Sequence, residues 1–471
     1  MIGILSYGAY VPPTRLPLSA LGHRPAREGG PEKAVAGHDE DAITLGVSAA
    51  IHCLDGFDRS DVDLLVFAST TSPFREKAAA SLVAHVLDLR GDVRTLDLTG
   101  SLRAGTSALE IALDAVRAGS ARRALVVATD VRLAAPGSPL EARLGDAAAA
   151  LLLGAGEAIA TLDDFVTLSD EVTDLWRTAD DRFVHSWEDR FVVQESFLPS
   201  VAGAVEALLE RRGEAIAAYD RIALAAPEAR TQGELARRLE IPPEALAPSF
   251  FGQLGHAGAA FGPLLLIGAL EQAAPGERLL LANFGDGADA IAISATDGTQ
   301  KLEPRRGVRW NLARRRVLPR YADYTGAHGL SATEWPAQAG PGLSATILRR
   351  ERDDDLALLG RRCRRCGRVQ FPSQRVCESC YAKDDFEPVR LSDRTGRIVT
   401  YTLDYFYPTP SPPTIVSVVE IEGARIHLQI VEQDPETLAL GQEIECVFRR
   451  MHETGGRPNY YWKGIPRPPA A

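Results

Sequence analysis

The sequence predicts an α/β protein of two similar halves, followed by a small metal-binding segment and an all-β barrel. Three observations predict this order. Short apolar runs alternate with segments of helical periodicity up to about residue 298. Two closely spaced cysteine pairs come next. After them, apolar and polar residues alternate in short stretches separated by turn residues, which is typical of strands.

The composition is that of a globular chain with several domains. Its 471 residues are too many for one ordinary core, and 45% of them are hydrophobic. No apolar run reaches the ~18 residues of a membrane span, and the N-terminus lacks the basic region of a signal peptide. We therefore expect a cytoplasmic protein without a membrane partner. The net charge of -11 disfavours a general nucleic-acid binder.

The first 298 residues contain the strands and helices of an α/β unit. Continuous apolar runs predict buried strands at 64–68 and 124–128, and helical periodicity predicts helices at 79–87 and 107–117. The segments ALVVATD and GDAAAALLLG are echoed later by LLLANF and GDGADAIAIS. Each pair predicts a strand, a turn and a strand. A duplicated unit explains the echo, although small apolar residues also permit a chance similarity.

We divide the chain into five segments. The first half spans residues 1–165, and an insertion with the second half spans 166–298. Residues 299–350 are basic and interrupted by Pro and Gly, which indicates a linker that docks on a surface. Residues 351–390 hold the cysteine pairs, and residues 391–471 form the predicted barrel.

Four cysteines have the spacing of a metal site. They form Cys363-x2-Cys366-x10-Cys377-x2-Cys380. Two such turns present four thiolates, and zinc prefers this tetrahedral set. Gly367 permits the left-handed backbone of the first turn. We predict a structural zinc, because four thiolates leave no open position. Iron and a degenerate apo site remain as alternatives.

The tail resembles a known module at CRRCGRVQFPSQRVCESC, LSDRTGRIVTYT and LALGQEIECVF. It is similar, over about residues 351–465, to the zinc-ribbon plus OB-fold domain catalogued as domain of unknown function 35. The resemblance implies a module that docks or guides an acyl-CoA beside a thiolase-like protein. Seven basic residues and one acid between 361 and 383 indicate either a solvated surface or a face for anions or acidic partners.

The N-terminal region resembles the thiolase superfamily, on the branch of 3-hydroxy-3-methylglutaryl-CoA synthase and 3-ketoacyl-ACP synthase III. The resemblance lies in IGILSYGAYVPPTRL, DLTGSLRAGTSAL, GDAAAALLLG and FGQLGHAGAAFGPLLLIGAL. It implies a five-layered αβαβα fold of two similar halves, a homodimer formed through this region, and acyl-CoA or CoA as ligand.

The resemblance also implies a nucleophilic cysteine that this chain lacks. The family places a cysteine thiolate at the N-terminus of a buried helix, where the helix dipole lowers its pKa. Its pattern, Asp-x4-Cys-x-Gly-Gly-Thr, aligns with the chain at Asp97, Gly105 and Thr106. This alignment places Leu102 at the cysteine, and leucine cannot form a thioester.

Three further functional positions also differ. The family's histidine aligns with Ala225, and the asparagine of its Gly-Asn-x-Gly/Tyr pattern aligns with Gln253. Its acid aligns with Thr70. Four changes at four positions predict a pocket that is degenerate for Claisen chemistry.

Two other residues could supply a substitute nucleophile and base. Ser101 is next to the nucleophile position, and His256 could serve as its base. An ordinary loop serine and a packing histidine are the simpler interpretations. Cys53 lies on an apolar helical face and is predicted to be a buried structural cysteine.

The sequence therefore predicts a non-catalytic accessory or scaffold subunit of an acyl-CoA acyltransferase or thiolase complex. A thiolase-family catalytic subunit would supply the missing residues. The alternative is a stand-alone acyltransferase, similar to 3-hydroxy-3-methylglutaryl-CoA synthase or ketoacyl synthase, with a non-cysteine mechanism. A third hypothesis, nucleic-acid binding by the ribbon and barrel, is disfavoured by the acidic charge.

Overall fold

The computed structural model describes residues 1–27, 29–330, 344–407, 409–454 and 457–468. Residues 331–343 of the predicted linker lie outside this description. The chain divides into two compact units. Unit 1 comprises Met1–Gly37 and Asp41–Tyr324, and unit 2 comprises His38–Glu40 and Thr325–Ala470.

Unit 1 combines strands with helices in alternation. Its strands are β1 (Ile2–Tyr10), β2 (Thr14–Pro17), β3 (Glu32–Ala34), β4 (Val62–Ala68), β5 (Arg94–Leu98), β6 (Arg123–Asp130), β7 (Ala147–Ala155), β8 (Ala160–Ser169), β9 (Leu175–Trp176), β10 (His185–Ser186), β11 (Arg221–Ala225), β12 (Arg278–Phe284), β13 (Gly287–Ala295) and β14 (Arg316–Val317). Its helices are α1 (Ala42–Leu54), α2 (Ala79–Val86), α3 (Ala104–Arg117), α4 (Asp189–Val192), α5 (Leu198–Arg212), α6 (Ala229–Arg238), α7 (Phe261–Leu270), α8 (Gly298–Lys301) and α9 (Val308–Ala313). The next helix, α10 (Tyr321–Ala327), contains the boundary between the units.

Nine strands of unit 1 form two half-sheets of matching order. The order is β11-β12-β13-β8-β1-β7-β6-β4-β5, and the halves meet where Ile4 of β1 pairs with Ala160 of β8. From this junction outward, β7-β6-β4 in the first half corresponds to β13-β12-β11 in the second. The echoed segments form β6 with β7 and β12 with β13, as a duplicated unit predicts.

The helices complete five layers. Helices α1 and α2 cover the first half-sheet, and α5 and α6 pack on the second. Helices α3 and α7 lie between the half-sheets and share one apolar core with both. This arrangement confirms the predicted αβαβα fold.

Local hydrogen bonds explain where the first helices begin. The Asp41 side chain accepts from the backbone N–H groups of Ile43 and Thr44, which caps α1. Asp97 of β5 accepts from the backbone N–H groups of Ala79 and Ala80 and so caps α2 from a neighbouring strand. The predicted α2 is confirmed, whereas α3 begins three residues earlier than predicted.

The helical segment from α4 to α5 is the most apolar long helix of the described residues. It contains a π-helical turn at Val193–Phe197. Asp189–Arg212 has the length and mean hydropathy, 1.2, of a membrane span, but 61% of its most apolar stretch is buried within the protein. Helix α5 packs on β8, β12 and β13, which is typical of a core helix.

Residues 299–330 of the predicted linker contribute structure to unit 1. Strand β14 pairs in parallel with β2. In α9, the buried Asn311 side chain donates to the backbone carbonyls of Ala9 and Gly307, at 2.9 and 2.7 Å. Unit 1 therefore extends past residue 298.

Unit 2 contains a small sheet and a closed barrel. Its helices are α11 (Ala345–Arg350) and α12 (Arg352–Ala357), and its strands are β15 (Leu359–Cys363), β16 (Val369–Gln370), β17 (Phe386–Arg390), β18 (Gly396–Asp404), β19 (Thr414–Ile421), β20 (Ala424–Ile430), β21 (Glu443–Thr454) and β22 (Arg457–Pro466). Strands β15 to β17 form the sheet, and the barrel order is β18-β19-β20-β22-β21. The predicted small barrel is confirmed. Strand β22 carries the fully buried Trp462, whose indole N–H donates to the Leu356 carbonyl at 2.9 Å.

Candidate functional site

The start of α3 is held in place by β13 and by the turn that precedes α7. Arg103 Nη1 lies 2.8 Å from Asp289 Oδ1, and the Thr106 hydroxyl donates to the same carboxylate. A Cβ atom at Gly105 would lie 2.2 Å from the Ala259 carbonyl oxygen, so only glycine permits this approach. Leu102 immediately precedes this fixed helix end.

Leu102 lines a cavity of about 420 Å³ in unit 1. Ala225, at the end of β11, and His256 line the same cavity. Its other polar and charged lining residues are Arg143, Asp174, Asp189, Arg190, Gln194, Glu228, Arg230 and Glu234. Among the described residues that line it, none has a thiol, a hydroxyl or an amine side chain.

His256 is fixed at the cavity by backbone hydrogen bonds. Its N–H donates to the Arg143 carbonyl at 2.7 Å, and its carbonyl accepts from Gly145 at 3.2 Å. The Gly258 N–H donates to Nδ1 of the ring at 3.2 Å. Burial, followed by the charge of Arg132, lowers the pKa of His256 to about 3. The ring is therefore neutral, with its proton on Nε2.

Gln253 lies elsewhere. Its side chain is exposed and does not line the cavity. The Gly-Asn-x-Gly pattern fits the sequence twice, first at residues 252–255 and again, with His256 in the asparagine position, at residues 255–258. Only in the second match does the residue in the asparagine position, His256, line the cavity. The sequence pattern alone did not distinguish the two matches.

Thr70 belongs to a hydrogen-bond network around Asp130. Its N–H and hydroxyl donate to that carboxylate at 2.7 and 2.9 Å. The hydroxyls of Ser69 and Thr71 and the N–H of Ala259 donate to it as well. Thr70 is not among the residues that line the cavity.

The structure shows no hydrogen bond between the side chains of Ser101 and His256, both of which are described. The Ser101 hydroxyl donates to the Gly285 carbonyl at 3.3 Å and accepts from the Arg103 N–H at 3.3 Å. Cys53 is buried in α1, and this burial raises its pKa to about 12. Its thiol is therefore protonated at neutral pH.

Asp174 is a cavity residue that the sequence analysis did not identify. It directly precedes β9, whose Leu175 packs on a small apolar cluster with Leu144 and Val184. Burial raises the pKa of Asp174 to about 6, although the charge of Arg132 opposes the shift. Asp174 comes from the insertion between the halves, where no periodicity or motif marks it.

The four predicted metal ligands converge in unit 2. The Sγ atoms of Cys363, Cys366, Cys377 and Cys380 all lie within 4.8 Å of one another. The pairs Cys363–Cys380 and Cys366–Cys377 are each 3.6 Å apart. A tetrahedral zinc with Zn–S bonds of about 2.3 Å requires sulfur atoms roughly 3.8 Å apart, so this set fits the ion.

The two cysteine turns share one backbone device. Gly367 and Tyr381, each directly after the second cysteine of its pair, have φ angles of +78° and +60°. Their N–H groups donate to the carbonyls of Cys363 and Cys377. Backbone N–H groups, first that of Cys380, lower the pKa of Cys377 to about 6, which favours the ligating thiolate.

The basic surface of this segment is largely paired with acids. The ion pairs are Arg362–Glu422, Arg364–Glu387, Arg368–Glu378 and Arg375–Asp384, at 3.6, 4.0, 2.6 and 2.7 Å. Three of these acids, Asp384, Glu387 and Glu422, lie beyond the basic stretch of residues 361–383. The pairing favours a solvated surface over an anion-binding face.

Comparison with known proteins agrees with this architecture. Hydroxymethylglutaryl-CoA synthase of Pyrococcus horikoshii is 30% identical over 332 residues, which are 69% of this chain and 91% of that protein. The chain belongs to the hydroxymethylglutaryl-CoA synthase family. Its fold matches that of MvaS in complex with 3-hydroxy-3-methylglutaryl coenzyme A, with a TM-score of 0.61, 21% identity, and coverage of 72% of this chain and 95% of MvaS. It also matches 3-oxoacyl-(acyl carrier protein) synthase III of Pseudomonas aeruginosa, with a TM-score of 0.56, 24% identity, and coverage of 63% and 98%.

This family member carries two further domains C-terminal to its synthase-like region. Residues 350–387 match the rubredoxin-like zinc ribbon domain of ChsH2, and residues 388–449 match the C-terminal OB-fold domain of ChsH2. The predicted combination of a thiolase-like region with a zinc ribbon and an OB-fold is thereby confirmed.

Proposed function

We propose that this chain is an accessory or scaffold subunit that binds an acyl-CoA but has lost covalent acyl transfer. The observation that carries the proposal is the cavity lining of unit 1. Leu102 lies where the family's pattern has cysteine, and the described lining residues offer no other thiol, hydroxyl or amine. Cys53 does not line the cavity, and its raised pKa makes it a poor nucleophile.

The ligand class follows from the family and its solved relatives. The synthase relatives are named for hydroxymethylglutaryl-CoA, and MvaS was solved with that thioester. In this chain a neutral histidine N–H faces the cavity and can donate to a thioester oxygen. We therefore propose acyl-CoA as ligand and a thiolase-family catalytic subunit as partner. In the unit 2 module we propose a structural zinc.

An unpaired sheet edge supports assembly through unit 1. Strand β5 ends the nine-stranded sheet, and no strand of the described residues pairs with its outer edge. Four of its five residues, 94–97, are exposed. An exposed edge of this kind is a template for pairing with another chain. We propose that a second copy pairs here and forms a homodimer.

The proposal is tested by trapping an acyl-enzyme. The purified chain is incubated with acetyl-CoA, quenched in acid and measured by intact mass spectrometry. We expect no adduct on the wild type or on Leu102→Ala, but an acetyl adduct on Leu102→Cys, because that thiol would lie at the start of α3. A wild-type adduct that Ser101→Ala abolishes would contradict the proposal.

The accessory role needs a second measurement. Acyl-CoA turnover is assayed with the chain alone, with a co-purified thiolase-family subunit alone, and with both. We expect acyl transfer or carbon–carbon bond chemistry to increase strongly in the mixture. Acyl transfer by the chain alone at the rate of the mixture would favour the stand-alone acyltransferase instead.

A further inference from the structure

Asp174 is a cavity carboxylate without a partner. The described residues place no hydrogen-bond donor and no cation within bonding distance of its oxygens. Of the cavity arginines, Arg143 contacts Asp189 at 2.8 Å and Glu228 at 3.6 Å, and Arg230 contacts Glu228 at 3.4 Å. Arg190 also lines the cavity and forms no ion pair with Asp174 in the described part of the chain. Gln194 donates to the remaining acid, Glu234, at 3.0 Å. The Asp174 carboxylate is therefore available to a bound molecule.

His256 supplies a donor to the same space. Its Nδ1 already accepts from the Gly258 N–H, which holds the proton on Nε2. The described residues offer no hydrogen-bond acceptor to that Nε2–H. A neutral imidazole N–H in a poorly hydrated cavity stabilises an oxyanion without itself releasing a proton.

We propose that the unit 1 cavity removes and returns a proton at the α-carbon of a bound acyl thioester, with Asp174 as base and His256 as oxyanion donor. The inference rests on the proposed binding of acyl-CoA in this cavity. It adds a non-covalent proton-transfer activity to a site without a nucleophile.

The proposed step balances without any co-reactant. The Asp174 carboxylate takes the α-proton, and the electron pair of the broken C–H bond forms the carbon–carbon double bond of an enolate. The carbonyl π pair moves onto the thioester oxygen, which accepts the hydrogen bond from Nε2–H of His256. Return of a proton from Asp174 to the α-carbon restores the thioester. No bond to the protein forms, and no group is oxidised or reduced.

The charges around Asp174 set the expected pH dependence. Arg132 and Arg143 favour the carboxylate, whereas Asp189 and Asp286 oppose it, and burial is the largest influence. The resulting pKa of about 6 makes Asp174 a stronger base than an exposed aspartate, and its carboxylate is still ionised at neutral pH. We expect the exchange rate to rise with pH through about 6 and then to level off.

The experiment measures deuterium uptake. The full-length, zinc-loaded chain is incubated with acetyl-CoA in D₂O, and deuterium in the acetyl group is followed by mass spectrometry. We expect uptake above the buffer rate, reduced by roughly 10²-fold in Asp174→Asn and in His256→Ala. His256→Asn should retain most of the uptake, because its amide N–H can replace Nε2–H.

A matched control comes from the same segment. Asp180 is fully exposed and lies outside the cavity lining, so Asp180→Asn should leave both the uptake and its pH profile unchanged. The deuterium uptake of Asp174→Asn should no longer rise near pH 6, whereas that of Asp174→Glu should keep part of this rise. If Asp174 had only a structural role, its substitution would not change the pH dependence of the uptake.

A parallel binding measurement separates the two proposals. Equilibrium dialysis with acetyl-CoA reports occupancy of the wild type and of each variant. Binding without deuterium uptake would overturn the proton-transfer inference and leave the accessory role standing. Equal uptake by wild type and Asp174→Asn would also overturn it. Failure to bind acetyl-CoA at millimolar concentration would contradict both proposals.

Discussion

Gly145 controls the position of His256. A Cβ atom at this residue would lie 1.9 Å from the Leu254 carbonyl oxygen, which is backbone and cannot rotate away. We expect Gly145→Ala to displace the 254–256 segment, to destabilise unit 1 by about 1–3 kcal/mol and to weaken acetyl-CoA binding. Thermal unfolding and equilibrium dialysis measure the two effects.

The matched control for that substitution is Gly233→Ala in α6. A Cβ atom there meets nothing within 4 Å. Because alanine has the better helix propensity by about 1 kcal/mol, this variant should be slightly stabilised and should bind normally. If Gly145→Ala behaved like Gly233→Ala, His256 would not depend on this close contact.

His256 should also make the protein sensitive to acid. Its pKa is about 3 in the folded chain and about 6.5 when unfolded, so below pH 6.5 the unfolded chain binds the additional proton. The stabilising contribution is complete above pH 6.5 and is lost as the pH falls towards 3. At pH 5 the loss is about 2 kcal/mol.

Comparison with His256→Asn isolates this contribution. Denaturant unfolding of unit 1 at pH 7.5 and pH 5 should show a smaller acid-induced loss in the variant, because asparagine does not titrate in this range. Equal losses in the two proteins would mean that the ring is protonated in the folded chain.

The site residues differed in how far the sequence could identify them. Leu102 was recognisable because Asp97, Gly105 and Thr106 fix the register of one short segment. The asparagine position was assigned to Gln253 and not to His256, because the glycine pattern occurs twice within seven residues. Asp174 could not be identified from the sequence, because the packing of β9 places it at the cavity and no local pattern marks it.

Among the elements, β5 is the strand through which we expect two copies of the chain to form a dimer. Leu96 is exposed on this edge strand, and a charge there is a natural means of blocking strand pairing. We expect Leu96→Lys to shift the protein from dimer to monomer without a change in unit 1 stability beyond about 0.5 kcal/mol. Light scattering after size-exclusion chromatography measures the mass.

The control for β5 is an exposed apolar residue on another element. Val317 of β14 is 39% exposed, close to the 38% of Leu96. Val317→Lys should leave the mass unchanged. A dimer that persists in Leu96→Lys, or that is lost equally in Val317→Lys, would place the contact elsewhere.

Regular elements were predicted where periodicity was strong. Strand β4 and helix α2 have continuous apolar runs or a clear helical face, and both were predicted closely. Strand β22 was missed because RPNYYWKGIP has two prolines, a glycine and no clean alternation; its pairing with β21 makes it a strand. The strand and helix at 308–317 were missed for the same reason: tertiary pairing, not local pattern, creates β14.

At the scale of the whole molecule, the two units draw stability from different sources. Unit 1 has a large apolar core between its half-sheets. The segment with the cysteines has only three short strands, β15 to β17. Segments of this size usually depend on a metal or another staple. The spacing of the four cysteines was sufficient to predict this site, because adjacent turns place the thiols locally.

Metal removal should therefore affect one unit selectively. Structural zinc contributes about 10–16 kcal/mol of apparent binding free energy in small modules, so a chelator or Cys377→Ser should unfold residues 350–387 while the main thermal transition of unit 1 remains. Calorimetry with hydrogen exchange localises the change, and a colorimetric chelator counts the released zinc. Cys446→Ala is the control, because burial raises the pKa of that thiol to about 12 and it lies outside the cysteine group. The control should retain one zinc per chain. Loss of zinc without loss of protection at residues 350–387 would contradict a structural role for the metal.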